Sequence, residues 1–161
     1  MAAESESQHV TVLLREAISP LIENRGNIYI DCTFGGGGHT ELLLKRRPDA
    51  RVIAFDRDAD MISRGETRFR DEIASGRLEL LHANYGDIRE RLQGLGTSKV
   101  DGVLVDAGVS SFQLDIPERG FSFGKDGPLD MRMDRTQPLT AYEIVNRWPR
   151  QELERVFFEY G

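Results

Sequence analysis

The chain has 161 residues, 30% of them charged and 39% hydrophobic, with a formal net charge of −6. That length suits one domain with a real core rather than two large ones, and no apolar run is long enough to span a bilayer. The acidic balance excludes a surface that is basic throughout, so any nucleic-acid site has to be a local patch. Cys32 is the single cysteine, which excludes an internal disulfide and makes a reducing, cytoplasmic setting the expectation. The opening M-A-A-E-S-E-S-Q is acidic without an apolar core, so residues 1–8 are expected to be a disordered lead-in rather than a signal or transit peptide.

In chain order, Val12, Leu13, Ala17 and Leu21 predict a helix over residues 10–23, which Pro20 should kink or split. A turn at 24–27 leads into a short buried strand, residues 28–30, with Asp31 at its carboxyl end. Four glycines follow, Gly35 to Gly38, and open a helix over 40–47 that Pro48 stops. Residues 51–55 form a second strand ending at Asp56, and 58–75 read as one helix carrying Met61, Ile62, Phe69 and Ile73. A third strand spans 78–82. A helix over 87–95 follows, with Asp87 as its N-cap, and then a fourth strand over 100–105 ending at Asp106.

Continuous apolar strands alternating with helices predict an α/β fold with a parallel sheet covered on both faces. Such sheets hold ligands beyond the carboxyl ends of their strands. Asp31, Asp56 and Asp106 all stand there, beside a turn whose glycines let backbone pass close to a ligand.

The dinucleotide pattern G-x-G-x-x-G fails, because its third position falls on Thr40 or Glu41. What the residues supply is an acid four positions ahead of G-x-G, Asp31 before Gly35 and Gly37. This resembles the first motif of class I S-adenosylmethionine-dependent methyltransferases. That cofactor has an ammonium, a carboxylate and a ribose diol but no phosphate. Asp31 suits the ammonium, directly or through water, the glycine amides suit the carboxylate, and Asp56 suits the ribose hydroxyls. An NAD-dependent oxidoreductase shares the last feature and is disfavoured by the failed fingerprint.

After Asp106 the period is lost, and residues 112–138 read as a long functional loop. T-A-Y-E at 140–143 is a capping-box pattern opening a helix through Trp148, and a last helix spans 151–160. Phe121 and Phe123, interleaved with Arg119, Lys125 and Arg132, combine stacking faces with phosphate partners and are candidates for binding single-stranded RNA. Ser110 and Ser111 read as loop residues rather than nucleophiles, and His9, His39, His82 and Cys32 lack metal-ligand spacing.

Several blocks together resemble one family: H-V-T-V-L-L (9–14), D-C-T-F-G-G-G-G-H-T (31–40), F-D-R-D (55–58), V-D-G-V-L-V-D-A-G-V-S-S (100–111), and E-R-G-F-S-F-G-K-D-G-P-L-D-M-R-M-D (118–134). They resemble the bacterial 16S ribosomal RNA cytosine-N4 methyltransferases of the MraW (RsmH) type. The resemblance implies a class I, Rossmann-like fold and cofactor contacts at Gly37, Gly38, His39, Asp56, Tyr85, Asp106 and Gln113. Gly36 stands where the family usually has Arg. It also implies S-adenosylmethionine as cofactor and N4-methylation of a cytidine in small-subunit RNA. A non-catalytic RNA-binding or ribosome-assembly module with the same motifs is the alternative.

Family chains run to about twice this length, so this one resembles an N-terminal half. The expected layout is a cofactor-binding half-domain at 9–111, the loop at 112–138, and the start of a helical insertion at 139–161. A fourth strand left as an open edge would favour association, including a homodimer. Asp106 is the candidate catalytic group, accepting a hydrogen bond from the cytosine amine.

Overall fold

The computed structural model describes residues 13–23 and 26–161. The expected lead-in at 1–8, the first turn of the first predicted helix and part of the turn at 24–27 lie outside the described residues. The chain divides into two compact units, the first ending at Gly108 and the second spanning Val109–Gly161. The division falls before the expected boundary at 111, and puts the stretches 112–138 and 139–161 in one unit.

In the first unit the four apolar runs become strands β1 (Ile28–Asp31), β2 (Arg51–Asp56), β3 (Leu78–His82) and β4 (Gly102–Leu104). All are parallel, in the order β3-β2-β1-β4. The predicted α/β class therefore holds. Side chains alternate across the sheet, and both faces are covered. Tyr29, Val52, Ala54 and Leu78 point to one face, where Ile18 of α1 (Leu14–Glu23) and Leu43 and Leu44 of α2 (Gly38–Arg46) join them. Ile30, Ile53 and Phe55 point to the other, against Ile88 and Leu92 of α5 (Ile88–Gly94). Each such fully buried side chain stabilises the fold by about 1.5–3 kcal/mol. Burial on both faces is why these strands are apolar without interruption.

Four local expectations change. Helix α1 runs unbroken through Pro20, which lies on its exposed side; the missing N–H removes one bond in mid-helix and the remaining turns hold. The helix expected over 58–75 is two, α3 (Ala59–Arg68) and α4 (Arg70–Ala74). They part at Phe69, whose ring is buried edge-on against Phe34 with centroids 5.7 Å apart. The packing of one aromatic ring breaks the helical run. Asp87 makes no side-chain cap for α5; Asn84 instead accepts the Gly86 N–H and closes a 3₁₀ turn ahead of it.

Strand β4 is only three residues long. Before it, the Asp101 carboxylate accepts the Asn27 and Ile28 N–H groups at 2.7 and 2.9 Å. After it, the ladder ends where Cys32 N–H donates to the Leu104 carbonyl. Asp106 thus stands two residues beyond the strand. Val103 and Val105 are about half exposed at this sheet edge.

Phe34, at the mouth of the glycine turn, is the joint between turn and core. A Cβ at Gly65 of α3 would lie 2.6 Å from its ring and 2.8 Å from Leu80. Ala is favoured over Gly in a helix by about 1 kcal/mol, but overpacking a core costs about 1–3 kcal/mol. The clash should win, so Gly65→Ala is expected to lower stability by about 1 kcal/mol in urea denaturation; a gain in midpoint would show that Phe34 yields freely.

Candidate active site

The strand order reverses at β1. The chain runs outward through β2 and β3, then returns to place β4 on the other side of β1. The carboxyl ends of β1 and β4 therefore flank a crevice of the kind in which open α/β sheets hold ligands. Asp31 ends β1, Asp56 ends β2, and Asp106 follows β4.

Asp31 is 3% exposed. One carboxylate oxygen accepts the Thr33 N–H at 3.1 Å and the other the Thr40 hydroxyl at 2.8 Å. Burial raises its pKa above the usual carboxylate range, against the lowering effect of Thr40 and Thr33. The expected direct contact with a ligand ammonium is not available to a group so enclosed. Its work is to clip the start of the glycine turn to the first turn of α2. Burial and the neighbouring Asp31 charge push the Cys32 thiol up to about 11, so it remains protonated and inert.

Between these clips the turn takes its shape from glycine. Gly35 and Gly37 have φ of +52° and +78°, and a Cβ at Gly37 would lie 2.7 Å from Phe69 and 2.8 Å from Phe34. A Cβ at Gly35 would meet little, its nearest neighbour being the Thr33 carbonyl at 3.9 Å. Gly37 is thus required by packing, whereas Gly35 borders open space. Gly38 opens α2. Arg68, which the sequence reading missed, donates to the Gly36 carbonyl, pairs with Glu41 and lies 5.0 Å over the Phe69 ring. It brings a positive charge to the turn from α3.

Asp56 accepts the Gly35 N–H at 2.7 Å and the Asp58 N–H at 2.8 Å. Burial raises its pKa as well, ahead of the lowering by those backbone bonds. The Arg57 N–H also lowers it; a carboxylate has about four acceptor sites, so capacity remains for at least one further donor. His39 is 6% exposed; its Nδ1 lies 4.0 Å from an Asp106 carboxylate oxygen, and its Nε2 is buried with no hydrogen-bond partner. A buried polar atom without a partner costs about 1–3 kcal/mol, which a polar ligand group would recover. Asp106 is open to solvent, with a side chain 56% exposed. Its N–H donates to the Thr33 hydroxyl at 2.8 Å. Tyr85 lies in the 3₁₀ turn after β3, with a partly exposed ring. The first unit therefore brings together Asp31, Gly37, Gly38, His39 and Asp106 around one turn, with Asp56 tied to it through Gly35. Two carboxylates with acceptor capacity, Asp56 and Asp106, suit a ligand rich in hydrogen-bond donors, as an ammonium and a ribose diol are. Among the described residues, no group of three or more His, Cys, Asp or Glu is placed to hold a metal ion.

A family model described as the MraW methylase family matches residues 6–161. The chain belongs to the MraW methylase family. Among solved structures, it is similar to the C-terminal domain of precorrin-6Y C5,15-methyltransferase from Rhodobacter capsulatus, with a TM-score of 0.50 and 17% identity. That match covers 66% of this chain and 55% of the other, and it establishes the fold as that of the class I methyltransferases. A provisionally assigned rRNA methylase from Clostridium thermocellum matches at a TM-score of 0.41 and 20% identity, over 53% of this chain and 47% of that one. The chain thus spans about half the length of these structures.

The second unit of this MraW-family chain is not a structureless loop. Ser110 caps the short helix α6 (Ser111–Asp115) through a full capping box, in which Gln113 N–H donates to the Ser110 hydroxyl and the Gln113 side-chain oxygen accepts the Ser110 N–H. The S-x-x-Q signal was there to be read. Gln113 is buried, and its oxygen serves this cap. At the expected box of Thr140, only the Thr140 half forms, because Glu143 pairs with Arg147 at 3.1 Å along α7 (Ala141–Arg147). Helix α8 (Arg150–Tyr160) follows.

Two RNA-binding candidates prove to be struts. Arg119 is 2% exposed and donates to the carbonyls of Arg132 and Met133 at 2.9 and 3.0 Å, while its own carbonyl accepts the Met131 N–H. A guanidinium so enclosed does not face a phosphate. These ties hold Met131 at φ +57°, a conformation that costs a non-glycine residue about 1 kcal/mol or more. Arg132 grips Asp130 through Nε and Nη2 at 2.8 and 2.7 Å and also bonds the Arg135 and Gln137 carbonyls. The backbone passes itself closely here: a Cβ at Gly120 would lie 2.2 Å from the Pro128 carbonyl, and one at Gly127 2.0 Å from that of Pro117. Phe121 is half-buried, whereas Phe123 is fully exposed at 110%. Lys125 is partly exposed and bonds the Asp115 carbonyl.

The bidentate Arg132 bond lowers the Asp130 pKa to about 2, from the usual 3.8. A carboxyl depressed on folding contributes stability above its unfolded value, and that stability is lost as pH falls through the folded value. The Asp130 contribution should therefore be full above about pH 4 and vanish through about pH 2. In acid titrations followed by circular dichroism, Asp130→Asn is expected to be less stable than the unmodified chain at neutral pH and to converge with it near pH 2; a constant gap would rule out the ion pair as the cause.

Proposed function

We propose that this chain carries the cofactor-binding half of an S-adenosylmethionine-dependent methyltransferase acting on the N4 amine of a cytidine in small-subunit (16S) ribosomal RNA. The carrying observation is the crevice at the strand-order reversal. A glycine turn there is clipped by Asp31 and faced by Asp106, whose carboxylate lies 4.0 Å from His39 Nδ1. Asp56 would hold the ribose hydroxyls with its remaining acceptor capacity, and the open side of Gly35 admits close approach. His39 would contact the cofactor and Tyr85 would flank the adenine, as the family resemblance implies. When bound, the cofactor supplies a methyl group on a sulfonium.

The amine of cytosine is a weak nucleophile because its lone pair is shared with the ring. Asp106, exposed and ionisable, would accept a hydrogen bond from that amine, turn the lone pair toward the methyl group and help take up the proton released. In-line approach makes positioning the larger part of such catalysis. The base must be unpaired or turned out of a helix to reach it. Phe123 offers a full ring face for stacking an unpaired base, with Lys125 close in sequence as a phosphate partner.

Calorimetry with S-adenosylmethionine and with NAD tests the cofactor; binding of NAD alone would overturn the reading. Asp56→Ala should weaken S-adenosylmethionine binding by about tenfold or more, since it removes hydrogen bonds to a charged acceptor worth about 1.5–3 kcal/mol. Unchanged affinity would refute the ribose assignment. Stacking on an aromatic is worth about 1–3 kcal/mol per base, so Phe123→Ala should lower affinity for a single-stranded cytidine-containing RNA at least fivefold in fluorescence anisotropy. Equal affinity would remove Phe123 from the RNA surface.

A further inference from the structure

The Asp106 carboxylate is useful only if it is held in place, and the sheet does not hold it. Strand β4 ends at Leu104, and residues 105–109 are all exposed. A Cβ at Gly108 would meet nothing within 4 Å, so the segment leaves the sheet into open space. The Asp106 N–H nevertheless has a partner, the Thr33 hydroxyl at 2.8 Å. Thr33 stands just past β1, and its own N–H donates to Asp31 at 3.1 Å. One residue thus bonds the strand-end carboxylate of β1 through its backbone and the backbone of the β4 carboxylate through its side chain. Its hydroxyl stands in for the next carbonyl of a ladder whose last bond runs from Cys32 N–H to Leu104. The result is that Asp106 lies 4.0 Å from His39 Nδ1, on the same side of the turn as the imidazole whose other nitrogen has no partner.

We propose that Thr33 is a positioning residue of the site: its hydroxyl sets Asp106 across the crevice, and through Asp106 it sets cofactor affinity. The inference rests on the S-adenosylmethionine reading above. It accounts for a side-chain acceptor at a place where a longer β4 would have supplied a backbone one. Valine matches threonine in shape but lacks the acceptor, and serine keeps it. A contribution through Asp106 has a signature that general loosening of the turn does not: removing Thr33 should matter only while the Asp106 carboxylate is present.

The test is a double-mutant cycle on the full chain, read by calorimetry with S-adenosylmethionine. Thr33→Val should weaken binding about fivefold, as expected for one hydrogen bond of about 1 kcal/mol. Thr33→Ser should remain within about twofold of the unmodified chain. Asp106→Ala should weaken binding, and the double variant should bind no worse than Asp106→Ala alone. Full additivity of the two effects, or unchanged binding by Thr33→Val, would overturn the proposal while leaving the cofactor reading intact. An unmodified chain that binds no S-adenosylmethionine would overturn both. Amide hydrogen exchange of the unmodified chain gives a second measurement that needs no variant. The Asp106 N–H should exchange at least about tenfold more slowly than those of Ala107 and Gly108, and equal rates would remove the tie on which the proposal stands.

Discussion

A buried carboxylate holds this molecule's site together. Asp31 is removed from water at the end of β1, an arrangement that is costly unless the charge is answered by donors. Two are supplied, the Thr33 N–H on the near side of the glycine turn and the Thr40 hydroxyl on the far side. Meeting Asp31's demand therefore fixes both ends of the turn. Phe34 adds an apolar anchor between them, packed on Phe69 and against the glycines of the turn and of α3. The turn is rigid because a charge and a ring both require it to be where it is.

Topology supplies the rest. Strand order β3-β2-β1-β4 brings the segment after β4 beside the turn after β1, although some 70 residues separate them in sequence. The carboxylates then divide by environment. Asp31 is enclosed and occupied, Asp56 is largely buried with acceptor capacity left over, and Asp106 is open to solvent. Three residues of one type, two ending their strands and one just beyond β4, differ in burial and in hydrogen bonding. A fold of this kind hosts many chemistries, and it is these differences rather than the sheet that distinguish one from another.

Much of this could be read from the chain. Strands β1, β2 and β3 are apolar without interruption and are bounded by polar turns, and their acidic ends are visible because they break apolar runs. What could not be read depends on neighbours distant in sequence. Nothing near Phe69 signals a helix break; Phe34, 35 positions away, causes it. The shortness of β4 is not disclosed by its valines either. Arg119 and Arg132 look like cations awaiting phosphates, and only the fold shows them spent on carbonyls and on Asp130. Ser110 and Gln113 differ in kind, since their capping-box spacing was present in the sequence and was masked by the surrounding loop-like composition.

The hydrogen bond from Asp106 to Thr33 spans 73 positions, while β1 and β2 pair across about 23 residues. Closing the longer loop costs more chain entropy, and contacts of high sequence separation form slowly. Strands β1, β2 and β3 can assemble with α2 and α3 as a local βαβ succession before β4 arrives. A chain at that stage already has its glycine turn, its buried Asp31 and its Phe34 anchor, yet it lacks the wall that Asp106 provides. The crevice beside the glycine turn is therefore expected to mature late in folding, after most of the core is in place.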